Sequence, residues 1–529
     1  MRGNITPIIR SRPLAAMTPF ARLRPIALCL ALACAVPSWG VQAQPNASRL
    51  PNIGDGNSMS VAQERRLGES IMRQLMTDAD YLDDPVLVDY LQGIWWPLRD
   101  AASQLGQMPP ELADAFSWDL LLVRDKSVNA FALPGGYMGV HLGLIAAVSN
   151  RDELASVMGH ELSHVTQRHI ARMQDQQGKQ TPFLVGAMIL GVLAASRSTD
   201  AANALIMGGS AGAAQGQLNF SRDMEREADR LGFNVMSQAG FNTQGMVGMF
   251  QKLGQAARLN DSGGFPYLRS HPLTTERIGD MQSRIGLNPS QASPTSLEHA
   301  MMAARARGLL ATRVDAVQVL VLALEKDFKP ELPLAQQAGL LYAGAMAYTQ
   351  QGQAAKAREA VTRLLALSRE DPAGARAAQW LAQDTERRLG NPQGCVQALP
   401  AQTENRPLLL LRTQCQLGLQ QAPAAKSAAE AMQRWLAEHP RDGLAWDLAT
   451  QALNQTGEGL RALRADAESR AVRWDESGAI DRLRAAQALS KRLSQEGRLD
   501  RAGQMESSII DSRMRTLEAQ RRELLRPQN

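Results

Sequence analysis

His160-Glu161-Leu162-Ser163-His164 sets two imidazoles four positions apart, with a carboxylate beside the first. On a helix, positions i and i+4 share one face, so both rings can converge on one metal ion. Glu161, one residue along, then sits beside that ion, placed to handle the proton of an attacking water. This is the arrangement of zinc-dependent hydrolases: two His ligands and a Glu base. With 7 His in 529 residues, chance yields the pattern roughly 0.005 times. It therefore outweighs the bland reading, a surface helix with two solvated histidines.

A catalytic zinc takes three protein ligands and keeps one position open. Ser221-Arg222-Asp223-Met224-Glu225-Arg226-Glu227-Ala228-Asp229 offers the third. Glu225 and Asp229 share a helix face, so one carboxylate can bind metal while the other orients a ligand histidine from behind. Read alone, the segment is equally a solvated charged helix. His271 precedes Pro272, which disfavours helix and holds it in an extended loop, and it is a further candidate. His141 ends an expected strand and reads as structural. His169 is rotated well away from the His160/His164 face of an ideal helix and is not expected to ligate. His299 and His439 have no partner motif and read as surface residues.

His160-Glu161-x-x-His164 followed by Glu225-x-x-x-Asp229 resembles the gluzincins that include the CAAX prenyl endopeptidases and HtpX. The resemblance extends to Asn129-Ala130-Phe131-Ala132 with Pro134-Gly135-Gly136, and to Ser270-His271-Pro272. It covers most of residues 60–290 and implies an α+β zincin-like (gluzincin) metallopeptidase domain with one Zn2+ per chain. It makes Glu225, not Glu227, the third ligand, and puts Asp229 behind a ligand histidine. It also implies that Asn129–Leu133 lines the cleft and pairs with an extended substrate. Such main-chain pairing accepts many sequences; the residues alone also fit an ordinary internal strand. For His271 two roles stay open. It is a latch, occupying zinc as a fourth ligand, or a hydrogen-bond donor to the developing oxyanion, since neutral imidazole can do either. The resemblance favours the latch.

Helices and strands must hold these residues. Asn150 can cap an amphipathic helix running through Arg168, with Glu153 completing a capping box. Helical patterns cover 60–76, where Ser60 and Gln63 form another box, and 85–104. Phe116–Arg124 and Asn129–Leu133 read as strands, and Tyr137–His141 returns after the Pro134-Gly135-Gly136 turn. A small sheet beside helices is the simplest arrangement.

Residues 286–296 have linker composition and separate a peptidase domain at 60–285 from an Ala-, Leu-, Gln- and Arg-rich region at 297–529. There, helices alternate with short turns near Gly352, Gly390, Gly418, Gly457 and Gly497. The spacing scatters around the roughly 34 residues of tetratricopeptide repeats, which makes a repeat domain the expectation and a non-repetitive bundle the alternative. Cys395 and Cys415 could pair across a helical hairpin as a disulfide; two buried thiols are the other reading.

The first 43 residues read as a secretory signal, with a basic stretch ending at Arg24, an apolar run Ile26–Val36 and small residues before a cleavage near Ala43. Met17 is an alternative start. Ala31-Leu32-Ala33 makes a poor lipobox before Cys34. Residues 44–59 read as a flexible lead-in. Of 57 Lys and Arg, five lie in those 43 residues, which hold no acid, and the other 52 match 52 Asp and Glu. No basic footprint for nucleic acid remains. Phe183–Ala195 is apolar but too short to span a membrane. It reads as a buried helix, a flap over the site or a helix in peripheral membrane contact, and Gly208, Gly209 and Gly212 would permit a hinge.

Together these features imply a zinc endopeptidase of the bacterial periplasm, and the resemblance implies that it degrades misfolded or misassembled outer-membrane proteins and supports their assembly like a chaperone. The repeat domain would present a concave surface to substrates or to the outer-membrane assembly machinery. The alternative is a chaperone or adaptor acting through the repeats, with a latent or inactive protease site. A membrane-bound prenyl protease would need several spanning segments that the chain lacks.

Overall fold

The computed structural model describes residues 59–176 (except 77 and 79), 221–258, 265–285, 291–399 and 405–524. The expected signal, nearly all of the lead-in, the apolar run Phe183–Ala195 and Gly208, Gly209 and Gly212 lie outside the described residues.

Helix α1 (Val61–Leu75) starts on the expected box. The Gln63 N–H donates to Ser60 Oγ at 3.2 Å, and the Ser60 N–H donates to Gln63 Oε1 at 2.8 Å. Its apolar face, Leu67, Ile71, Met72 and Leu75, is buried. Asp84 caps α2 (Pro85–Gln104), and Pro85 sits in the first turn, where a missing N–H costs nothing. Leu87, Leu91, Ile94, Trp95 and Leu98 make α2 a central element of the core.

A short helix, α3 (Pro110–Ala115), precedes a four-stranded sheet of order β1-β2-β4-β3. The strands are β1 (Tyr81–Leu82), β2 (Leu120–Val123), β3 (Ala130–Leu133) and β4 (Tyr137–His141). β2 and β4 are parallel; β1–β2 and β3–β4 are antiparallel. The strand expected from Phe116 starts only at Leu120, because Trp118 takes φ 56° and breaks the extended run. Gly135 and Gly136 take φ 82° and 85° in the β3–β4 turn, where a Cβ on Gly136 would lie 2.9 Å from Phe116 Cβ.

β4 leads into α4 (Leu142–Ala147) and then α5 (Arg151–Thr166). Two residues later comes α6 (His169–Gln176), and beyond it α7 (Arg222–Gln238), α8 (Gln244–Arg258), α9 (Tyr267–Ser270) and α10 (Thr275–Ile285). From Leu297–Leu310 to Arg501–Leu524 every described element is a helix; Leu297–Leu310 packs on Leu334–Gln350, and from Val314–Asp327 onward each helix packs on the next.

The stretch at 291–296 is not a free tether. Ser293 O accepts from Asn150 Nδ2 at 3.0 Å, and Thr295 Oγ1 donates to Ser149 O at 2.7 Å. One apolar core takes in residues from both sides of it, from Val86 to Cys415. Across the same seam, Arg305 holds the α2 cap Asp84 with contacts of 2.7 and 2.6 Å. His299, expected at the surface, is buried there. Tyr90 Oη lies 2.7 Å from its Nδ1, and Val148 O lies 3.0 Å from its Nε2. His439 is exposed and stacks on Trp435. The described residues contain no helix long and apolar enough to cross a membrane.

Candidate metal centre

The centre is built on α5. Asn150 Oδ1 accepts from the Glu153 N–H at 2.9 Å, as an N-cap should. The return bond differs from a capping box: Glu153 Oε2 accepts from Ser149 N at 2.6 Å and pairs with Lys252 at 2.8 Å. The helix is not amphipathic. Every residue from Asp152 to Thr166 is buried, because α2, α7 and α8 all pack on it. α7 comes closest where Gly159 faces Gly232. A Cβ on Gly232 would stand 3.0 Å from His160 N. That approach brings Glu225 and Asp229 against the two histidines.

His160, His164, Glu225 and His271 form a buried cluster whose donor atoms all lie within 4.8 Å of one another. His164 Nε2 is 2.9 Å from His160 Nε2. Glu225 reaches to 3.5 Å of each, through Oε2 to His160 and Oε1 to His164. His271 closes the group: its Nδ1 is 2.9 Å from Glu225 Oε1 and 3.3 Å from His160 Nε2. Glu161 stands at the side, with Oε1 3.4 Å from His271 Nε2.

The set fits zinc. Imidazole nitrogens and carboxylate oxygens are its ordinary ligands. Glu161 Oε1 is buried without a hydrogen-bond partner. A buried carboxylate oxygen left so is costly unless a cation completes it.

A second layer orients the first. His160 Nδ1 is 2.9 Å from Asp229 Oδ1. Arg277 grips Asp229 at 2.6 and 2.7 Å, reaches Glu225 Oε2 at 2.8 Å and donates to Pro272 O at 2.8 Å. The ring of Tyr267 stacks on His271 at 4.6 Å between centroids. Behind His164, Nδ1 of His169 lies 2.8 Å from Nδ1 of His164, and its Nε2 donates to Glu227 Oε2 at 3.1 Å.

Burial raises the Glu161 carboxyl above its ordinary range. It holds His164 well below its ordinary value and lowers His169 to about 4. Burial alone would raise Asp229, but the Arg277 and His160 hydrogen bonds outweigh it and hold the carboxyl at about 2.

β3 is the outer strand on the α5 side of the sheet. His141 N donates to Asn129 O at 3.1 Å, in register with the β3–β4 pairs. Antiparallel alternation then turns Ala130 and Ala132 toward the free edge. Ala132 N donates to Glu161 Oε2 at 3.1 Å. Asn129 is buried, and Phe131 lies over Gly139. His141 is buried beside Ser127 and Asp125, away from the cluster.

The structure thus brings together His160, Glu161, His164, Glu225, Asp229, His271 and the 129–132 strand. Sequence reasoning passed over Arg277 and Tyr267, and it weighed His169 only as a ligand. His169 stays out of the donor group, as expected, but it lies against His164, and that contact has a definite cause. The helix ends at Thr166, and Arg168 takes φ 52°, so the ideal-helix phase no longer applies. α6 restarts and carries His169 back onto His164.

Residues 99–285 match the model of peptidase family M48, a span holding every residue of this centre. The putative beta-barrel assembly-enhancing protease of Vibrio cholerae is 32% identical over 64% of this chain and 68% of that protein. The beta-barrel assembly-enhancing protease of Yersinia pestis is 30% identical over 84% of this chain and 89% of its own length. The mitochondrial metalloendopeptidase of Saccharomyces cerevisiae named OMA1 is 28% identical over 40% of this chain and 60% of that protein. A buried His/Glu cluster of this composition and these likenesses lead to one conclusion: the chain belongs to peptidase family M48 and is a zinc-dependent metalloendopeptidase.

Proposed function

We propose that the chain is a periplasmic endopeptidase that degrades misfolded or misassembled outer-membrane proteins, with chaperone-like support of their assembly. His160, His164 and Glu225 hold the zinc, and Asp229 orients His160. When bound there, zinc would supply a water of near-neutral pKa and polarisation of the scissile carbonyl. Glu161 takes the proton of the attacking water and delivers it to the leaving amine. The observation that carries the reading is the buried four-donor cluster with the unpartnered Oε1 of Glu161 at its side.

The free edge of β3 receives an extended substrate strand, with Ala130 and the Ala132 carbonyl supplying main-chain groups. Binding through backbone suits unfolded chains of many sequences. His271 is a fourth ligand that keeps the enzyme latent until substrate displaces it. Its place within the donor cluster supports this over a donor that stands back.

Export rests on the signal-like first 43 residues and the substrate class on the names of the relatives from Vibrio and Yersinia. The helices from Leu297 onward form a tetratricopeptide-repeat domain that contacts the assembly machinery. Supporting it, Gly352, Gly390, Gly457 and Gly497 each end a helix at φ 70–80°. Metal analysis of purified protein, combined with cleavage of an unfolded outer-membrane protein, tests the reading. One zinc per chain and chelator-sensitive cleavage are expected; zinc binding without cleavage would favour an adaptor acting through the repeats.

A further inference from the structure

Behind His164, a second histidine, a carboxylate and a guanidinium stand in line. His164 turns Nε2 toward the donor cluster and Nδ1 away from it, 2.8 Å from Nδ1 of His169. His169 is 0% exposed. Its other nitrogen, Nε2, lies 3.1 Å from Glu227 Oε2, and Arg172 Nη1 donates to that same oxygen at 2.8 Å. The line joins α5, α6 and α7, and the left-handed turn at Arg168 makes it reachable.

One proton arrangement satisfies all these contacts. Nε2 of His164 binds a metal only through a bare lone pair, so the neutral ring carries its proton on Nδ1. That proton points at Nδ1 of His169, which must then be the bare, accepting nitrogen. His169 consequently carries its own proton on Nε2, where Glu227 accepts it. The opposite tautomer of His169 would set two N–H groups face to face and leave Glu227 opposite a lone pair.

We propose that His169, oriented by Glu227, is a positioning residue that locks His164 in its Nδ1-protonated tautomer and so sets the zinc affinity of the centre. The proposal rests on the reading that His164 binds zinc through Nε2. A metal-bound histidine commonly donates directly to a carboxylate or carbonyl. His160 does so, to Asp229. His164 reaches its carboxylate through one more imidazole, and that gives α6 control over a ligand on α5.

The test is a chelator titration of the zinc-loaded, full-length protein. Wild type is compared with His164→Ala, His169→Leu, His169→Asn and Glu227→Ala. Leu fills space without an acceptor; Asn places an oxygen near the position of Nδ1. His169→Leu should weaken zinc binding by roughly 10–100-fold, the usual effect of losing such a partner. His169→Asn should stay close to wild type. Glu227→Ala, which keeps His169 but frees its tautomer, should also weaken binding, and it decides the matter if the Leu variant does not fold. Wild-type affinity in His169→Leu or Glu227→Ala overturns the proposal. So does an Asn variant as weak as Leu, which would mean that His169 acts by packing alone. Undiminished zinc binding by His164→Ala would instead overturn the ligand reading, independently of His169.

Discussion

Asp229 and Arg277 form a buried two-point ion pair: Nε to Oδ2 at 2.6 Å and Nη2 to Oδ1 at 2.7 Å. Asp229 spends its Oδ1 twice, on Arg277 and on His160 Nδ1. Arg277 also faces Glu225, so one guanidinium holds the carboxylate of the expected ligand and the carboxylate behind the other ligand.

Arg277→Met should therefore destabilise the zinc-free protein by about 3–5 kcal/mol, the usual result of leaving one member of a buried pair alone. Asp229→Asn in the same chain should return part of that loss, because the orphaned charge is then gone. Denaturant unfolding of the two single variants and the double variant reads the coupling; additive losses would show that the pair is not a unit.

His271→Ala should raise proteolysis of an unfolded substrate at equal zinc occupancy, with self-cleavage as a companion signal. The ring lies inside the donor cluster, where a latch belongs. A fall in turnover of about 100-fold would instead make it an oxyanion donor, and unchanged rates would remove it from the site.

Asp442 caps the helix Gly443–Gln455, accepts from Trp435 Nε1 at 2.8 Å and pairs with Arg406 at 2.8 and 2.9 Å. Burial alone would raise its pKa, but the Arg406 guanidinium outweighs this and holds it below the ordinary carboxylate value. A depressed folded pKa stabilises above the unfolded value, about 3.9, and that stability disappears as pH falls through the folded one. Asp442→Asn should cost roughly 1–3 kcal/mol at pH 7, and its deficit should shrink as wild type is acidified below pH 4. A deficit independent of pH would contradict the charge-based account.

Cys395 and Cys415 are joined as a disulfide between the helices Pro392–Ala398 and Arg406–Gly418, with Cα atoms 6.0 Å apart. Protein purified under oxidising conditions should carry no alkylatable thiol at these positions. Reduction should lower stability by roughly 3 kcal/mol through the freed loop. Two reactive thiols in the native, non-reduced protein would reject the pairing.

What the sequence made legible was local. His160/His164 and Glu225/Asp229 obey helix spacing, and Ser60 and Asn150 start their helices where capping chemistry places them. What it concealed was non-local or turned on one dihedral. The left-handed Arg168, not a glycine, gave no sign that His169 would fold back onto His164. The left-handed Trp118 shortened a strand in the same way. α5 is buried all round because α7 reaches it through Gly159 and Gly232, 73 positions apart in the chain. His299 is interior because Tyr90 and Val148, on the other side of the Pro/Ser-rich stretch, close over it, a contact that no window of sequence contains.

Glu161→Gln tests the central claim most directly. The substitution keeps the side-chain volume and the ligand set, and it removes the group that accepts the proton. The zinc content of the variant should equal that of wild type, while cleavage of an unfolded outer-membrane protein should be abolished. His160→Ala, measured alongside, should lose both zinc and cleavage. Full proteolysis by the zinc-loaded Gln variant would contradict the account, since the proton would then be handled elsewhere.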